Sequence, residues 1–186
     1  MKIAPDIARS GVARHRILIV AMHNSIHVAR WLRMIKRPDA AILVFPSYAA
    51  DVPLPDDLQY VALSDVSRDL APGLWVVRSG DVDRRGDALI DRLYGYQRWQ
   101  HSFLGNATIA APGRLSECIR RFDPSIIHSM EVQLAGYLCL ETARRMRSNF
   151  PPWILSNWGS DIMLFRKLEE HKDRIRRVCA RIDYYM

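Results

Sequence analysis

The apolar stretch Arg16-Ile17-Leu18-Ile19-Val20-Ala21-Met22 and the amphipathic stretch at residues 25–36 decide the fold class. The first is a continuous run of aliphatic side chains, which is typical of a strand buried on both faces of a parallel sheet. In the second, apolar residues recur at helical spacing with arginines between them. A buried strand followed closely by an amphipathic helix predicts the first β–α unit of an α/β domain.

The same alternation continues along the chain. Further strands are predicted at residues 40–45, 59–63, 74–78, 125–130, 153–157 and 180–186, and helices at 84–122 (with a break near 105–113), 131–147 and 162–177. Residues 49–57 are rich in proline and aspartate and are expected to form a loop. The alternation predicts an α/β fold, a Rossmann-like, doubly wound, mostly parallel sheet with helices on both faces. We expect one domain at residues 16–186 after an N-terminal tail at residues 1–15.

Composition narrows the class of protein. The chain has 186 residues, of which 49% are hydrophobic and 25% charged, so it can bury a core. Its three cysteines form no CxxC pair, which argues against a disulfide framework or a zinc site and for a reduced, cytoplasmic setting. No apolar run is long enough to span a bilayer, so membrane contact is expected to be peripheral at most, at the inner face.

The net charge of +7 favours an anionic partner, such as nucleic acid, an acidic membrane surface or a phosphorylated molecule. Basic and aromatic residues mix between Arg84 and Arg121, which is compatible with a peripheral membrane patch or with ordinary core packing. No nucleic-acid-binding motif is present, and nucleic acid is not expected as a partner. The basic residues at 166–177 alternate with acidic ones and are expected to form a solvated helix face.

Polar residues follow three of the predicted strands, where ligands of open α/β sheets bind. The three groups are His23, Asn24, Ser25 and His27 after the first strand; His128, Ser129 and Glu131 around the end of the strand at 125–130; and Asn157, Trp158, Gly159, Ser160 and Asp161 after the strand at 153–157. Together they can hold a hydroxyl-rich or phosphorylated ligand.

Structural roles compete with this interpretation. Asn24 or Ser25, and likewise Ser160 or Asp161, are suited to cap the helices that follow them. Glu131 in a first helical turn is favoured by the helix dipole alone, and His128 can be a hydrogen-bonded core residue. The histidines at 23, 27 and 128 lack suitable companion ligands, so we expect no metal. The sequence also has no GxGxxG, P-loop or GxSxG motif, which argues against dinucleotide-binding proteins, P-loop nucleotidases and serine hydrolases.

Four segments carry a family resemblance: Arg16–Val20 with Ser25-Ile26-His27-Val28-Ala29-Arg30-Trp31-Leu32, Asp123-Pro124-Ser125-Ile126-Ile127-His128-Ser129, Ala135-Gly136-Tyr137, and Asn157-Trp158-Gly159-Ser160-Asp161-Ile162. They resemble the N-terminal half of group 1 (family 4) glycosyltransferases. The resemblance implies a glycosyltransferase-B fold, with two Rossmann-like domains facing a cleft, and retaining, metal-independent transfer of a sugar from a nucleotide-sugar. The N-terminal domain of such enzymes mainly binds the acceptor.

The resemblance also implies roles for individual residues. His128 and Asp161 become candidate catalytic residues, and the candidate substrate-binding residues are His23, Asn24, Ser25, His27, Arg30, Ser129, Glu131, Trp158, Gly159 and Ser160. The chain departs from the family pattern at Met130 and Trp158, where many relatives carry histidine, and it lacks the Gly-Gly pair after the first strand.

The family's donor-side E-x7-E motif is absent, so we expect the domain that binds the nucleotide-sugar to be missing and the chain to be a fragment, inactive alone. The expected partners are a sugar or lipid-linked acceptor and a nucleotide-sugar co-substrate, with no other cofactor, in polysaccharide or glycolipid synthesis. The alternative is a non-catalytic α/β module that binds a phosphorylated glycan or an anionic membrane surface.

Overall fold

The structure is a computed structural model that describes residues 11–49, 58–82 and 108–186. Its main feature is a seven-stranded, fully parallel sheet. In chain order the strands are β1 (His15–Ala21), β2 (Ala40–Pro46), β3 (Tyr48–Ala49), β4 (Gln59–Val61), β5 (Gly73–Val77), β6 (Thr108–Ile109), β7 (Ile126–Met130), β8 (Trp153–Ser156) and β9 (Tyr184–Tyr185). The short strands β3 and β6 pair with each other as a separate antiparallel ribbon.

Helices cover both faces of the sheet. They are α1 (Ile26–Ile35), α2 (Pro112–Phe122), α3 (Tyr137–Met146), α4 (Ser160–Met163) and α5 (Glu169–Arg181), and a π-helical turn, Val132–Gly136, precedes α3. On one face, Val28 and Leu32 of α1 pack against Ile19 of β1. On the other face, α2, α3 and α5 pack over a larger core that contains Leu18 and Phe45. This arrangement confirms the predicted Rossmann-like α/β class.

The strand order locates the position where ligands bind in folds of this kind. The sheet runs β4-β5-β2-β1-β7-β8-β9, so the chain builds to one side of β1 first and then to the other. The register places Ile19 beside His128 and Ala21 beside Met130. The topological switch point therefore lies beyond the carboxyl ends of β1 and β7.

Several element boundaries differ from the sequence prediction. The predicted helix at 131–147 begins as the π-helical turn, and the predicted strand at 180–186 is reduced to Tyr184–Tyr185 because α5 continues to Arg181. The predicted break near 105–113 includes β6 and the start of α2, whose first turn contains Pro112. Ala49, expected in a loop, belongs to β3. The predictions for residues 50–57 and 84–107 lie outside the described residues.

Candidate functional site

Five polar side chains meet at the switch point, after β1, β2 and β7. We call His23, Asn24, Ser47, Tyr48 and Glu131 the switch-point cluster. The Ser47 hydroxyl donates to Glu131 Oε1 at 3.2 Å, and the Tyr48 hydroxyl donates to Asn24 Oδ1 at 2.5 Å. The His23 and Tyr48 ring centroids lie 6.0 Å apart. Three separate loops therefore contribute to one group of hydrogen-bonding side chains.

Glu131 has an unusual backbone conformation for a residue with a side chain. Its φ is 114° and its ψ is 153°, a region that glycine occupies almost alone. The residue is nevertheless 5% exposed, and its amide donates to the Ser156 carbonyl at 2.8 Å. The sequence suggested that Glu131 lies in the first turn of an α-helix. It instead precedes the π-helical turn and is buried. Strained backbone of this kind concentrates at functional sites.

The π-helical turn holds Glu131 in place from the other side. The Gly136 amide donates to the Glu131 carbonyl at 3.0 Å, which closes the wide turn. A Cβ atom at Gly136 would lie 3.2 Å from that carbonyl oxygen and 3.5 Å from Val178. Glycine is therefore the residue that lets the turn approach so closely, and π-turns often occur at functional sites.

Tyr48 remains a protonated phenol in this cluster. Burial raises the pKa of the Tyr48 hydroxyl, the neighbouring charge of Glu131 raises it further, and the hydrogen bond with Asn24 opposes both. The phenol therefore keeps its proton and orients the Asn24 amide. Asn24 itself is exposed, so its amide is held in place while it remains accessible to solvent.

His128 forms a second group with Ser156 and Trp31. Its Nε2 lies 2.8 Å from the Ser156 hydroxyl, and the Trp31 ring meets its ring edge to face at 5.4 Å between centroids. His128 is 4% exposed, and this burial lowers its pKa to about 4. The imidazole is therefore neutral near pH 7 and can exchange hydrogen bonds without carrying charge. Ser156 links both groups, since its carbonyl accepts from Glu131 and its hydroxyl contacts His128.

The loop after β8 approaches the start of α1. The rings of His27 and Trp158 are 4.7 Å apart and inclined by 34°, so an exposed imidazole lies against a half-buried indole. Gly159 adopts a φ of 71° and accepts from the Met163 amide at 3.0 Å. The backbones of Ser160 and Asp161 begin α4, while their side chains are outside the described part of the chain.

Three of the predicted site residues occupy other positions. Ser25 caps α1, with its hydroxyl accepting from the His27 amide at 3.3 Å. Arg30 is exposed on α1. Ser129 is buried on the face opposite His128, where it accepts from Trp153 Nε1 at 2.8 Å and donates to the Ile154 carbonyl at 3.5 Å. The structure thus groups His128 with the switch point and directs Ser129 into the core.

The sequence prediction omitted Ser47, Tyr48, Trp31 and Ser156. Ser47 and Tyr48 follow Pro46, the last residue of β2, so the rule about strand ends would have found them had it been applied to that strand. Ser156 is likewise the last residue of β8. Trp31 belongs to the segment that carries the family resemblance, but it was given no role in the site, because an aromatic residue at helical spacing is typical of a core position.

Within residues 11–49, 58–82 and 108–186, no three histidine, cysteine or acidic side chains are grouped as a metal ion would require. In the same part of the chain, no helix combines the length and the apolar character needed to cross a bilayer.

Comparison with known protein families adds a separate line of evidence. A model described as glycosyl transferase 4-like matches residues 79–186, which is more than half of the chain. The chain belongs to this glycosyltransferase family. The resemblance noted in the sequence is thereby confirmed, and a general glycosyltransferase role is supported. No match is found among curated proteins or among solved structures.

The matched segment of this glycosyl transferase 4-like chain includes one half of the candidate site. His128, Glu131 and the loop of Trp158 lie inside residues 79–186, while α1 and the first five strands precede it. The family match therefore covers the part of the site that β7, β8 and the residues after them contribute. The structure adds the part of the site that precedes residue 79, where Ser47 contacts Glu131 and Tyr48 contacts Asn24 and lies near His23.

Proposed function

We propose that this chain is the acceptor-binding half of a retaining glycosyltransferase, which transfers a sugar from a nucleotide-sugar to a glycan or lipid-linked acceptor. We assign this sugar transfer to the synthesis of a cell-surface polysaccharide or glycolipid. The observation that carries the proposal is the strained, buried Glu131 at the switch point of a glycosyl transferase 4-like chain.

A sugar acceptor presents several hydroxyl groups, and the switch-point cluster matches that chemistry. The Glu131 carboxylate can accept hydrogen bonds from hydroxyl donors, and charge-assisted bonds of this kind are stronger than neutral ones. The exposed Asn24 adds an amide that both donates and accepts, while the buried Ser47 donates to the carboxylate and holds it in place. The short contacts within the cluster fix the side chains before the acceptor arrives, which reduces the entropy cost of binding.

The neutral state of His128 defines what it contributes. A neutral imidazole does not offset the charge of a phosphate, but it can hold an acceptor hydroxyl by a hydrogen bond. Its lowered pKa makes it a poor proton acceptor near pH 7. Trp31 and Ser156 fix the ring from two sides. We assign His128 to orienting the acceptor, with a catalytic role for Asp161 as a prediction from the family resemblance. The nucleotide-sugar is the co-substrate, bound mainly by a second domain, and no other cofactor is required.

The test compares two substitutions of a carboxylate by an amide in the full-length gene product. Glu131→Gln removes the buried charge, and Glu169→Gln removes a carboxylate at the exposed start of α5. Because one charged hydrogen bond contributes about 1.5–3 kcal/mol, kcat/KM for the acceptor should fall at least about tenfold in Glu131→Gln. Glu169→Gln should behave like the wild type.

The measurement is steady-state sugar transfer with acceptor and nucleotide-sugar varied separately. The KM for the nucleotide-sugar should stay within about twofold of the wild type in both variants, because the donor binds elsewhere. Equal activity of the two variants, or a defect confined to the nucleotide-sugar KM, would count against the proposed acceptor site.

A second candidate function, docking on an anionic membrane, is favoured by the outer face of α1. Ile26 is 61% exposed and Met34 is 76% exposed, and the helix carries Arg30 and Arg33 but no acidic residue. Apolar and cationic side chains on one face suit a bilayer interface. The segment that first suggested membrane contact lies largely at residues 84–107, outside the described residues.

Co-sedimentation with vesicles tests this second function. The double variant Met34→Ser/Arg33→Gln should bind vesicles containing anionic lipid more weakly, while Arg120→Gln on α2 should not change binding. Binding that is independent of lipid charge, or equal loss in both variants, would reject docking through α1.

A further inference from the structure

A groove lies between the C-terminal ends of α3 and α5, on the far side of the molecule from the switch point. It has a volume of about 410 Å³ and is lined by Arg144, Arg147, Arg177 and Arg181 over an apolar floor that includes Leu140 and Ala143. The chain leaves α3 and α5 to enter β8 and β9, so the groove lies at the amino edge of the sheet. It is therefore separate from the proposed acceptor site.

The two chain segments that carry the groove are rich in positive charge. The segments at residues 141–147 and 172–183 contain eight basic and three acidic residues, a balance of +5, compared with +7 for the entire chain. Each helix C-terminus contributes only about half a negative charge. The sequence suggested a solvated face of mixed sign for α5, and α5 does carry exposed pairs of both signs. The structure adds that basic residues of α3 and α5 line one groove.

The arginines of the groove are available to a ligand. Arg144 pairs with Glu141 at 3.0 Å, Arg177 pairs with Asp173, and Arg181 lies 3.8 Å from Asp183. The pairs of Arg177 and Arg181 are solvent-exposed and therefore weak, so a stronger anion can replace them, whereas Glu141 is largely buried and holds Arg144 more firmly. Among the described residues, no carboxylate pairs with Arg147. The Arg181 guanidinium also lies over the Phe150 ring at 5.7 Å, which holds it at the rim.

We propose that this groove binds a phosphate-bearing ligand. A guanidinium presents its N–H donors in a planar fork that matches two phosphate oxygens, and a phosphate has enough oxygens to engage several guanidinium groups at once. A carboxylate offers only two oxygens, so four converging arginines favour phosphate. The apolar floor of Leu140 and Ala143 limits hydration on one side of the ligand and strengthens these contacts. The volume lies within the range of small-molecule sites.

Calorimetric titration of the full chain with inorganic pyrophosphate tests the proposal. Arg177→Gln removes a groove arginine, and Arg176→Gln removes the same charge from the adjacent, exposed position of α5 that does not line the groove. Arg147→Gln and Arg145→Gln form a second matched pair on the α3 side. We expect saturable binding that weakens about tenfold or more in Arg177→Gln and Arg147→Gln but less than threefold in the two controls.

Vesicles distinguish a free phosphate compound from a lipid headgroup as the source of the phosphate. Phosphatidylcholine vesicles with and without phosphatidic acid would be sedimented with the same four variants. Binding that requires phosphatidic acid and Arg177 identifies a headgroup, whereas pyrophosphate binding without vesicle binding identifies a soluble ligand. Absence of saturable binding to either probe, or equal losses in each matched pair, would overturn the proposal. The readout is binding alone, so it is independent of sugar transfer.

Discussion

Two buried histidines of this chain have the same kind of partner in two different regions. His128 Nε2 lies 2.8 Å from the Ser156 hydroxyl, and His171 Nδ1 lies 2.9 Å from the Tyr137 hydroxyl. His128 is the middle residue of β7, beside Ile19 of β1. His171 belongs to α5 and packs between Tyr137, with nearly parallel rings, and Phe165, edge to face at 5.0 Å.

The difference shows that an imidazole–hydroxyl pair does not identify a functional site by itself. His171 is 1% exposed and lies within the helical layer over the sheet, so its hydrogen bond joins α3 to α5. His128 is similarly buried but lies in the sheet, three residues before the strained Glu131, and its partner Ser156 also accepts from the Glu131 amide. Position in the fold, more than burial or partner, separates the structural pair from the candidate functional pair. Four predictions test this separation.

The largest expected effect is a loss of stability at the helix-layer histidine. His171→Ala removes a ring packed by two aromatic side chains and leaves the buried Tyr137 hydroxyl without its imidazole. The free energy of unfolding should fall by about 3–5 kcal/mol. Urea denaturation at pH 7.5 measures it, with Arg176→Ala on the exposed face of α5 as a control that should stay within about 0.5 kcal/mol. A loss below about 1 kcal/mol would show that the pair does not join the helices.

The second prediction concerns pH and His128. Burial lowers the pKa of His128 from 6.5 to about 4. Between these two pH values the unfolded chain binds a proton at His128 and the folded chain does not. The corresponding stability is therefore complete above pH 6.5 and is lost as the pH falls towards 4. Between pH 7.5 and 4.5 the loss should be about 2–3 kcal/mol.

Comparison with His128→Asn isolates this contribution from other titrating groups. The variant should lose about 2–3 kcal/mol less than the wild type over the same pH interval, measured by urea denaturation at both values. His27→Asn, which removes an exposed imidazole, should follow the wild type. Parallel curves for the wild type and His128→Asn would mean that His128 titrates normally in the folded protein.

The third prediction compares the two hydroxyl partners directly. Tyr137→Phe should cost about 1–3 kcal/mol of unfolding free energy, since the buried His171 nitrogen loses its partner inside the helical layer. Ser156→Ala should cost about 1 kcal/mol or less, because water at the strand end can replace the hydroxyl. Equilibrium unfolding of both variants at pH 7.5 is the measurement. A larger loss of unfolding free energy in Ser156→Ala than in Tyr137→Phe would show that the His128 pair is the more enclosed of the two.

The smallest expected effect reports the strain at the switch point. At most positions glycine is less stable than alanine, but at a φ of 114° the order should reverse. Glu131→Gly should therefore be more stable than Glu131→Ala by about 1 kcal/mol or more. Both variants lack the carboxylate, so their difference in melting temperature isolates the backbone. An alanine variant as stable as the glycine variant would show that Glu131 is not strained.

The sheet was predictable because buried parallel strands have a strong signature. The run at residues 16–22 and the run at 40–45 are continuous and apolar, and both match their strands within one residue. The ends of the chain's weaker elements were not predictable from pattern alone. Tyr184–Tyr185 forms so short a strand because α5 still buries Ile175 and Val178 before it, and helical packing extends the helix.

The sequence indicated where the candidate site residues lie in the fold, but not the conformations of their backbones and side chains. The strand-end rule indicated His23, His128 and Glu131, which do gather at the carboxyl edge of the sheet. It could not indicate the conformation of Glu131, because the sequence there contains no glycine to signal a positive φ. Nor could it separate His128 from Ser129: adjacent residues of a strand face opposite sides, and only the helices packed on each side show which one remains near the site.

Gly136 bears on how sequence variation in this chain should be interpreted. The residue has no polar side chain, lies five positions after Glu131, and would be classed as an ordinary position in the middle of a helical segment. Yet even one added methyl group would press on the carbonyl oxygen of Glu131 at 3.2 Å. A mutational survey should therefore find that Gly136→Ala gains less stability than the helix propensity of alanine predicts, because the Glu131 carbonyl must shift to admit the methyl group. Gly136 thus helps to set the position of Glu131 although it carries no polar side chain.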